Sequence, residues 1–244
     1  MANIQTYGSR DWIESQYASS NDDPWGLDWR PSQRYRYQRM LKALQQFVFP
    51  RPQGLAMVDV GCATGSFTAM LAGLNTGTDG SLTGIDISES AVVRAAIRHP
   101  DIQFRLMALE DCARQFRGTL DVVTCMEVLY YLPDAQRVEA IRQLKSMLKP
   151  GGHLLVSSMI APAPYFTLER LNVLVSQELR IVASDVLYLK PLTMLEKFLM
   201  KFGNAAARRA LPLDDADVRR WEDAAKSRVP RLAASHAYVI ARKD

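Results

Sequence analysis

The sequence predicts an α/β fold in which a mostly parallel sheet carries helices on both faces. Two observations lead there. Short apolar runs alternate with longer segments of helical period between about residues 56 and 158, the pattern of successive βαβ units. The first run, Ala56 to Val60, contains an acidic residue, Asp59, near its end. It then passes through Gly61, Ala63 and Gly65 into a helix-like segment, so a strand, a tight turn and a helix start follow one another. A chain of 244 residues suits one such domain with decorations and a sizeable core.

The elements follow in order. Polar and Gly/Pro-containing residues from Ser19 to Gly26 interrupt helical pieces near the N-terminus. From Ser32 to Val48, Tyr37, Met40, Leu41, Leu44, Phe47 and Val48 recur at three and four, the period of an amphipathic helix, which Pro50 and Pro52 end. Strands are expected at Ala56–Val60, Ser81–Ile87, Ile102–Met107, Leu120–Cys125 and His153–Ser158. Helices are expected at Gly65–Leu74, at Glu89–Arg98 with Ser88 as N-cap, and at Ala135–Leu148. Beyond the breaker Ala161-Pro162-Ala163-Pro164, Tyr165–Ser176 reads as a helix and Arg180–Leu189 as β-rich. Thr193–Phe202 and Val218–Ser227 read as helical, and Ser235–Arg242 alternates as a final strand.

Composition narrows the class. Hydrophobic content of 48% and charged content of 23% are ordinary for a soluble globular protein. The net charge of +4 is spread over scattered arginines with no aromatic ladder between them, which favours a solvated surface over a nucleic-acid groove. Cys62, Cys112 and Cys125 show no C-x-x-C spacing, which argues for a reducing compartment. His99, His153 and His236 are far apart, so no metal site is expected. With no signal pattern and no apolar run of membrane-spanning length, the expectation is a cytoplasmic chain with neither a membrane nor a nucleic acid as partner.

The turn after the first strand carries the chemistry. Small residues let the backbone approach a ligand, and the helix start offers free N–H groups. Asp86, in Leu82-Thr83-Gly84-Ile85-Asp86-Ile87-Ser88, follows at the distance at which a βαβ unit places a ribose-gripping carboxylate. A dinucleotide site would carry G-x-G-x-x-G; here Phe67 and Thr68 stand where the third glycine belongs. The spacing Asp59-x-Gly61-x-Ala63-x-Gly65 instead resembles motif I of the class I S-adenosylmethionine (SAM) methyltransferases. The resemblance extends to Asp121–Leu129, similar to that family's fourth strand and exit loop, and to Leu148–Ser157, similar to its helix, Pro-Gly-Gly turn and fifth strand.

The resemblance implies a Rossmann-like, mostly parallel seven-stranded sheet ending in an antiparallel hairpin, with Arg180–Leu189 and Ser235–Arg242 as its strands and an insertion between them. It implies an organisation of residues 1–53 as a helical cap over the cofactor, 54–158 as the SAM-binding core, and 159–244 as acceptor-side helices and terminal strands of the same domain. SAM is the implied cofactor. Asp59 is expected near the methionine ammonium, Gly61, Ala63 and Gly65 where the backbone passes the ligand, Asp86 on the ribose hydroxyls and Ile87 beside the adenine. Ala63 replaces a glycine, which is tolerable where φ is negative. Ala108 stands where the family often has an aspartate facing the adenine amine, so Leu109 or Glu110 is expected to substitute.

Met126 and Glu127 leave the fourth strand where the methyl group should sit. Met126 is expected to line the cofactor, and Glu127 either orients an amine or satisfies a turn. Tyr130 and Tyr131 either face a cation beside the sulfonium or pack under the next helix. Glu127-Val128-Leu129-Tyr130-Tyr131-Leu132, with Asp23-Pro24-Trp25 and Arg34-Tyr35-Arg36-Tyr37, looks like the rhizobial nodulation protein S group of N-methyltransferases. That group methylates a chitooligosaccharide amine. The likeness implies Arg36 or Arg34 on the methionine carboxylate, with Tyr17 and Trp25 roofing the pocket. None of the three histidines looks placed as a base, which favours an amine acceptor. The expectation is therefore a methyltransferase acting on a small molecule, an amine of an amino sugar or secondary metabolite. O-methylation of a hydroxyl or carboxylate, a dinucleotide-dependent oxidoreductase and an inactive SAM-fold binding module stand as alternatives. Monomer and homodimer both stay open.

Overall fold

The computed structural model describes residues 7–18, 23–27, 29–48, 54–74, 80–202 and 213–244. The expected breakers Pro50 and Pro52, and the first half of the polar stretch from Ser19 to Gly26, lie outside the described residues. The chain runs through α1 (Arg10–Ala18), α2 (Pro31–Val48), β1 (Ala56–Val60), α3 (Ser66–Ala72), β2 (Ser81–Asp86), α4 (Glu89–Arg98), β3 (Gln103–Leu106) and α5 (Leu109–Gln115). It continues through β4 (Leu120–Met126), α6 (Asp134–Met147), β5 (Leu148–Met159), α7 (Leu168–Ser176), β6 (Arg180–Leu187), α8 (Lys190–Phe202), α9 (Asp215–Arg228), α10 (Pro230–Ala233) and β7 (His236–Arg242).

The strands form one seven-stranded sheet in the order β3-β2-β1-β4-β5-β7-β6. β1 to β5 pair in parallel, while β7 runs antiparallel to both β5 and β6. The fold is thus the expected Rossmann-like one with its terminal antiparallel hairpin. Strand order reverses between β1 and β4, and in such sheets the crevice outside the strand C-termini at that point is where ligands bind.

Both faces are covered. On one, Ile141, Leu144 and Met147 of α6 and Leu171 and Val175 of α7 pack on Val123, Leu154 and Val239. On the other, Met40 and Leu44 of α2 and Leu71 of α3 pack on Met57, Val122 and Ile240. Burying each such side chain stabilises the fold by about 1.5–3 kcal/mol relative to exposure. Phe47, expected on the apolar stripe of α2, is instead 38% exposed at its end.

α5 and β5 depart from expectation. α5 was not anticipated: Leu109–Gln115 spans only two turns, too short for a periodic signal, and it is held by burial of Cys112 and Ala113. β5 begins at Leu148, before the Pro150-Gly151-Gly152 segment expected as a turn, because Gly151 N–H donates to Lys243 O and Gly152 O accepts from Lys243 N.

Candidate active site

A cavity of about 870 Å³ opens at the reversal point, outside the C-terminal ends of β1, β2 and β4. Asp59, almost wholly buried, sits on its wall with its carboxylate fixed from two sides: Thr124 Oγ1 donates to Oδ1 at 2.6 Å and Thr68 Oγ1 to Oδ2 at 2.7 Å. Burial pushes the acid up to about 6 against these two bonds, with the nearby Asp86 charge adding to the rise.

The turn from Gly61 to Gly65 then brings backbone to the cavity. Gly61 and Cys62 N–H both donate to Ile85 O, at 2.8 and 2.9 Å, which ties the turn to β2. Gly61 lies at φ 72°, and a Cβ there would collide with Val128 Cγ2. Ala63 lies at φ 51°, not at the negative φ expected, so its methyl is carried in a left-handed conformation at a cost of about 1–2 kcal/mol. What holds it there is visible: Ala63 N–H donates to Asp86 Oδ2 at 2.9 Å. Gly65 is a correction of a different kind. It does not line the cavity; at φ 84° it faces Phe104 and His99, either of which a Cβ would overlap.

Asp86 is buried at the end of β2. Its other oxygen, Oδ1, accepts Ser88 N–H at 3.0 Å, so the carboxylate is locked between the turn and the N-terminus of α4. Ser88 caps that helix as expected, accepting Ala91 N–H at 3.1 Å. Burial raises the Asp86 acid while the Ser88, Ala63 and Ile87 N–H groups lower it. Ile87, Met107, Ala108, Leu109 and Glu110 line the adjoining wall, with Leu109 and Glu110 opening α5.

α1 closes over this corner. Glu14 accepts Ser88 Oγ at 2.7 Å and also Ser90 Oγ, so one carboxylate pins α1 to the start of α4. Sequence reasoning missed Glu14, which no local pattern marks. Tyr17 is buried and meets Trp25 edge-on at 6.4 Å. Tyr7, Trp12 and Tyr131 stack within 4.7 to 5.7 Å, and Tyr130 meets Tyr165 at 4.8 Å. These six rings and Trp25 all line the cavity as one aromatic wall.

Met126 and Glu127 line the floor. Glu127, at φ 61°, spends both oxygens on the protein. Oε1 accepts Ser157 Oγ and faces Arg36 Nη1, each at 2.9 Å, while Oε2 accepts Met159 N–H at 2.9 Å. Its expected alternative of orienting an acceptor amine therefore loses to that of satisfying its own turn. Arg36 lines the cavity and its buried Nε has no hydrogen-bond partner; Nη1 stands in ion-pair range of Glu127 but off the hydrogen-bond axis. Arg34 points away, to Asp215 Oδ1 at 3.1 Å and Leu213 O at 2.7 Å, which removes it from the site.

The far end is built from the entry to α2 and from the segment 159–244 expected on the acceptor side, although none of its residues was singled out individually for the site. Arg30, Gln33, Lys190, Thr193, Met194, Lys197 and Ser235 line it, together with His236. The expectation that no histidine is placed near the site is thus overturned for His236: an antiparallel strand begins at the edge where its parallel neighbours end. His99 and His153 lie off the cavity. Among the described residues, no group of three or more His, Cys, Asp or Glu side chains is placed to hold a metal, and no helix is long and apolar enough to cross a membrane.

Residues 58–154 match the methyltransferase domain family. A ubiquinone biosynthesis O-methyltransferase of Xanthomonas axonopodis pv. citri (strain 306) is 34% identical over 112 residues, 44% of this chain and 44% of that protein. The chain thus matches less than half the length of that curated relative. Among solved structures, the N-methyltransferase NodS from Bradyrhizobium japonicum WM9, in complex with S-adenosyl-L-homocysteine (SAH), covers 98% of both chains at 23% identity and a TM-score of 0.63. Magnesium protoporphyrin IX methyltransferase from Synechocystis PCC 6803, with bound SAM, covers 100% of both at 16% identity and a TM-score of 0.61. These two likenesses are likenesses of fold.

Proposed function

We propose that this chain, a class I SAM-dependent methyltransferase, passes a methyl group to a small-molecule acceptor held in the same cavity. One observation carries the reading. Two buried carboxylates, Asp59 and Asp86, stand at the ends of adjacent strands with a left-handed turn after the first, and Gly61 lets that turn pass close to Val128. Bound there, SAM supplies a methyl already activated by its sulfonium charge.

The residues divide the binding. Asp86, pre-oriented by Ala63 and Ser88 N–H, has lone pairs left to accept two ribose hydroxyls. Ile87, Leu109 and Glu110 flank the adenine, and Met126 lines the floor. Asp59 accepts the ammonium, and the unpartnered Nε of Arg36 meets the carboxylate. Tyr17 and Trp25 roof the ligand, while Tyr130 and Tyr131 present ring faces near the reacting charge. Shielding the methyl from water and holding the acceptor in line behind it supply much of the acceleration.

Oxygen is favoured over nitrogen as the acceptor atom, because the carboxylate expected to orient an amine, Glu127, is consumed by Ser157, Met159 and Arg36. The test is a screen of amine, phenol and carboxylic acid acceptors with radiolabelled SAM. Labelled product from an oxygen acceptor supports the reading; label reaching only amines rejects the preference. Tyr130→Phe and Tyr131→Phe are expected to change turnover more than SAH affinity.

A further inference from the structure

We propose that the far end of the cavity is an acceptor subsite for a hydroxylated carboxylic acid, with His236 taking the hydroxyl proton and Lys190 and Lys197 holding the acid group. The inference deepens the methyltransferase reading and rests on it.

His236 is the first residue of β7 and pairs with Met159 of β5 and Leu187 of β6. Met159 N–H in turn holds Glu127 at the end of β4. The backbones of His236 and Glu127 therefore stand about two strand spacings, ~10 Å, apart, and the imidazole spans part of that distance. That gap suits a small acceptor between them.

Among the described residues the ring has no tether. Its Nδ1 is buried without a partner, and neither nitrogen makes a hydrogen bond among the described residues, which leaves Nε2 open to the cavity it lines. A histidine kept for structure would be fixed by hydrogen bonds, and an unsatisfied buried nitrogen costs about 1–3 kcal/mol. Burial, then the charges of Arg36, Arg30 and Lys197, hold it well below its ordinary value, so it is neutral in the empty cavity. Ser235 beside it is already spent, donating to Leu187 O at 2.9 Å.

The surrounding charge selects the acceptor. Arg30 is paired with Glu196 at 2.9 Å and Arg36 with Glu127 at 2.9 Å. Lys190 and Lys197, at the mouth, have no acidic partner among the described residues. Burial and the neighbouring Arg30 and Lys190 charges push the Lys197 ammonium below its ordinary value. An ammonium-bearing acceptor would enter against this surplus, whereas a carboxylate neutralises it. The same neutralisation offsets the Lys197 part of the field on His236, and the acid's own negative charge nearby favours the imidazolium that forms. The acceptor oxygen then bonds to the methyl carbon as its proton passes to His236. The methyl–sulfur bond breaks with its electron pair returning to sulfur, and the imidazolium releases the proton to water.

Salicylate, 3,4-dihydroxybenzoate and 4-hydroxyphenylacetate, against tyramine, dopamine and glucosamine, test this by equilibrium binding to the SAH-loaded protein and by methyl transfer. At least one acid is expected to bind tenfold or more tighter than every amine, and the double substitution Lys190→Met with Lys197→Met to remove that advantage. His236→Asn is expected to leave SAH affinity within about twofold and to slow transfer to the acid by thirtyfold or more, with the rate recovering at high pH where the phenol ionises unaided. Amines binding as well as the acids, no acid binding, or acid affinity unmoved by the lysine substitutions overturns the proposal. A wild-type chain that fails to bind SAH removes the methyltransferase reading instead, while acid binding measured without SAH still decides the subsite.

Discussion

Arg36 Nη1 stands 2.9 Å from Glu127 Oε1, and this pair joins the second turn of α2 to the end of β4 beneath the cavity. The guanidinium is almost fully buried, so removing its partner strands a charge. Glu127→Ala is expected to destabilise the fold by about 3–5 kcal/mol in denaturant melts. Glu127→Gln, which can still accept from Ser157 or Met159, is expected to cost less. Equal losses would show that the ion pair is not what matters.

Arg36→Ala is expected to weaken SAH binding about tenfold or more through loss of the carboxylate contact. An unchanged dissociation constant by calorimetry would move that contact elsewhere.

On the proposed reading, Asp59 makes ligand binding depend on pH. Its folded value of about 6 lies above the ordinary 3.8, so between these limits the folded chain binds more protons than the unfolded one. Its contribution to stability is therefore greatest below 3.8 and is lost as pH rises to about 6, roughly 3 kcal/mol in all. A bound ammonium needs the ionised form. SAH affinity is expected to fall about tenfold per pH unit below about 6, with proton release on binding near pH 5.5. Asp59→Asn should flatten that dependence; a profile unchanged by the substitution would contradict the assignment.

The turn glycines and the alanine between them separate binding from packing. Ala63→Gly relieves the left-handed conformation at φ 51° and is expected to raise the melting temperature by about 2–4 °C. Gly65→Ala drives a methyl into Phe104 and His99 and is expected to lower it, although Gly65 does not line the cavity. Thermal melts in the absence of ligand check both.

The core of the fold was legible because each of its signals is local. A short apolar run ending at Val60, a cap at Ser88 and alternation from Ser235 to Arg242 each sit within a few residues, and the structure returns β1 and α4 with the expected bounds. Asp59 and Asp86 were legible for the same reason. What stayed hidden depends on contacts far apart in sequence. Glu14 reaches Ser88 across 74 positions, and Arg30 meets Glu196 across 166. The position of His236 was in principle readable, since an antiparallel last strand must start at the sheet's ligand-binding edge. The sign of φ at Ala63 was not: it is set by the hydrogen bond to Asp86, not by the alanine itself.

The central claim is that Asp59 and Asp86 grip the two ends of an adenosyl sulfonium. Calorimetric titration of SAH into the purified chain and its Asp86→Ala variant tests it most directly. The account predicts saturable 1:1 binding, weakened by about 1–3 kcal/mol in the variant. No binding of SAH, equal affinity in the variant, or saturation by a nicotinamide dinucleotide in its place would contradict it.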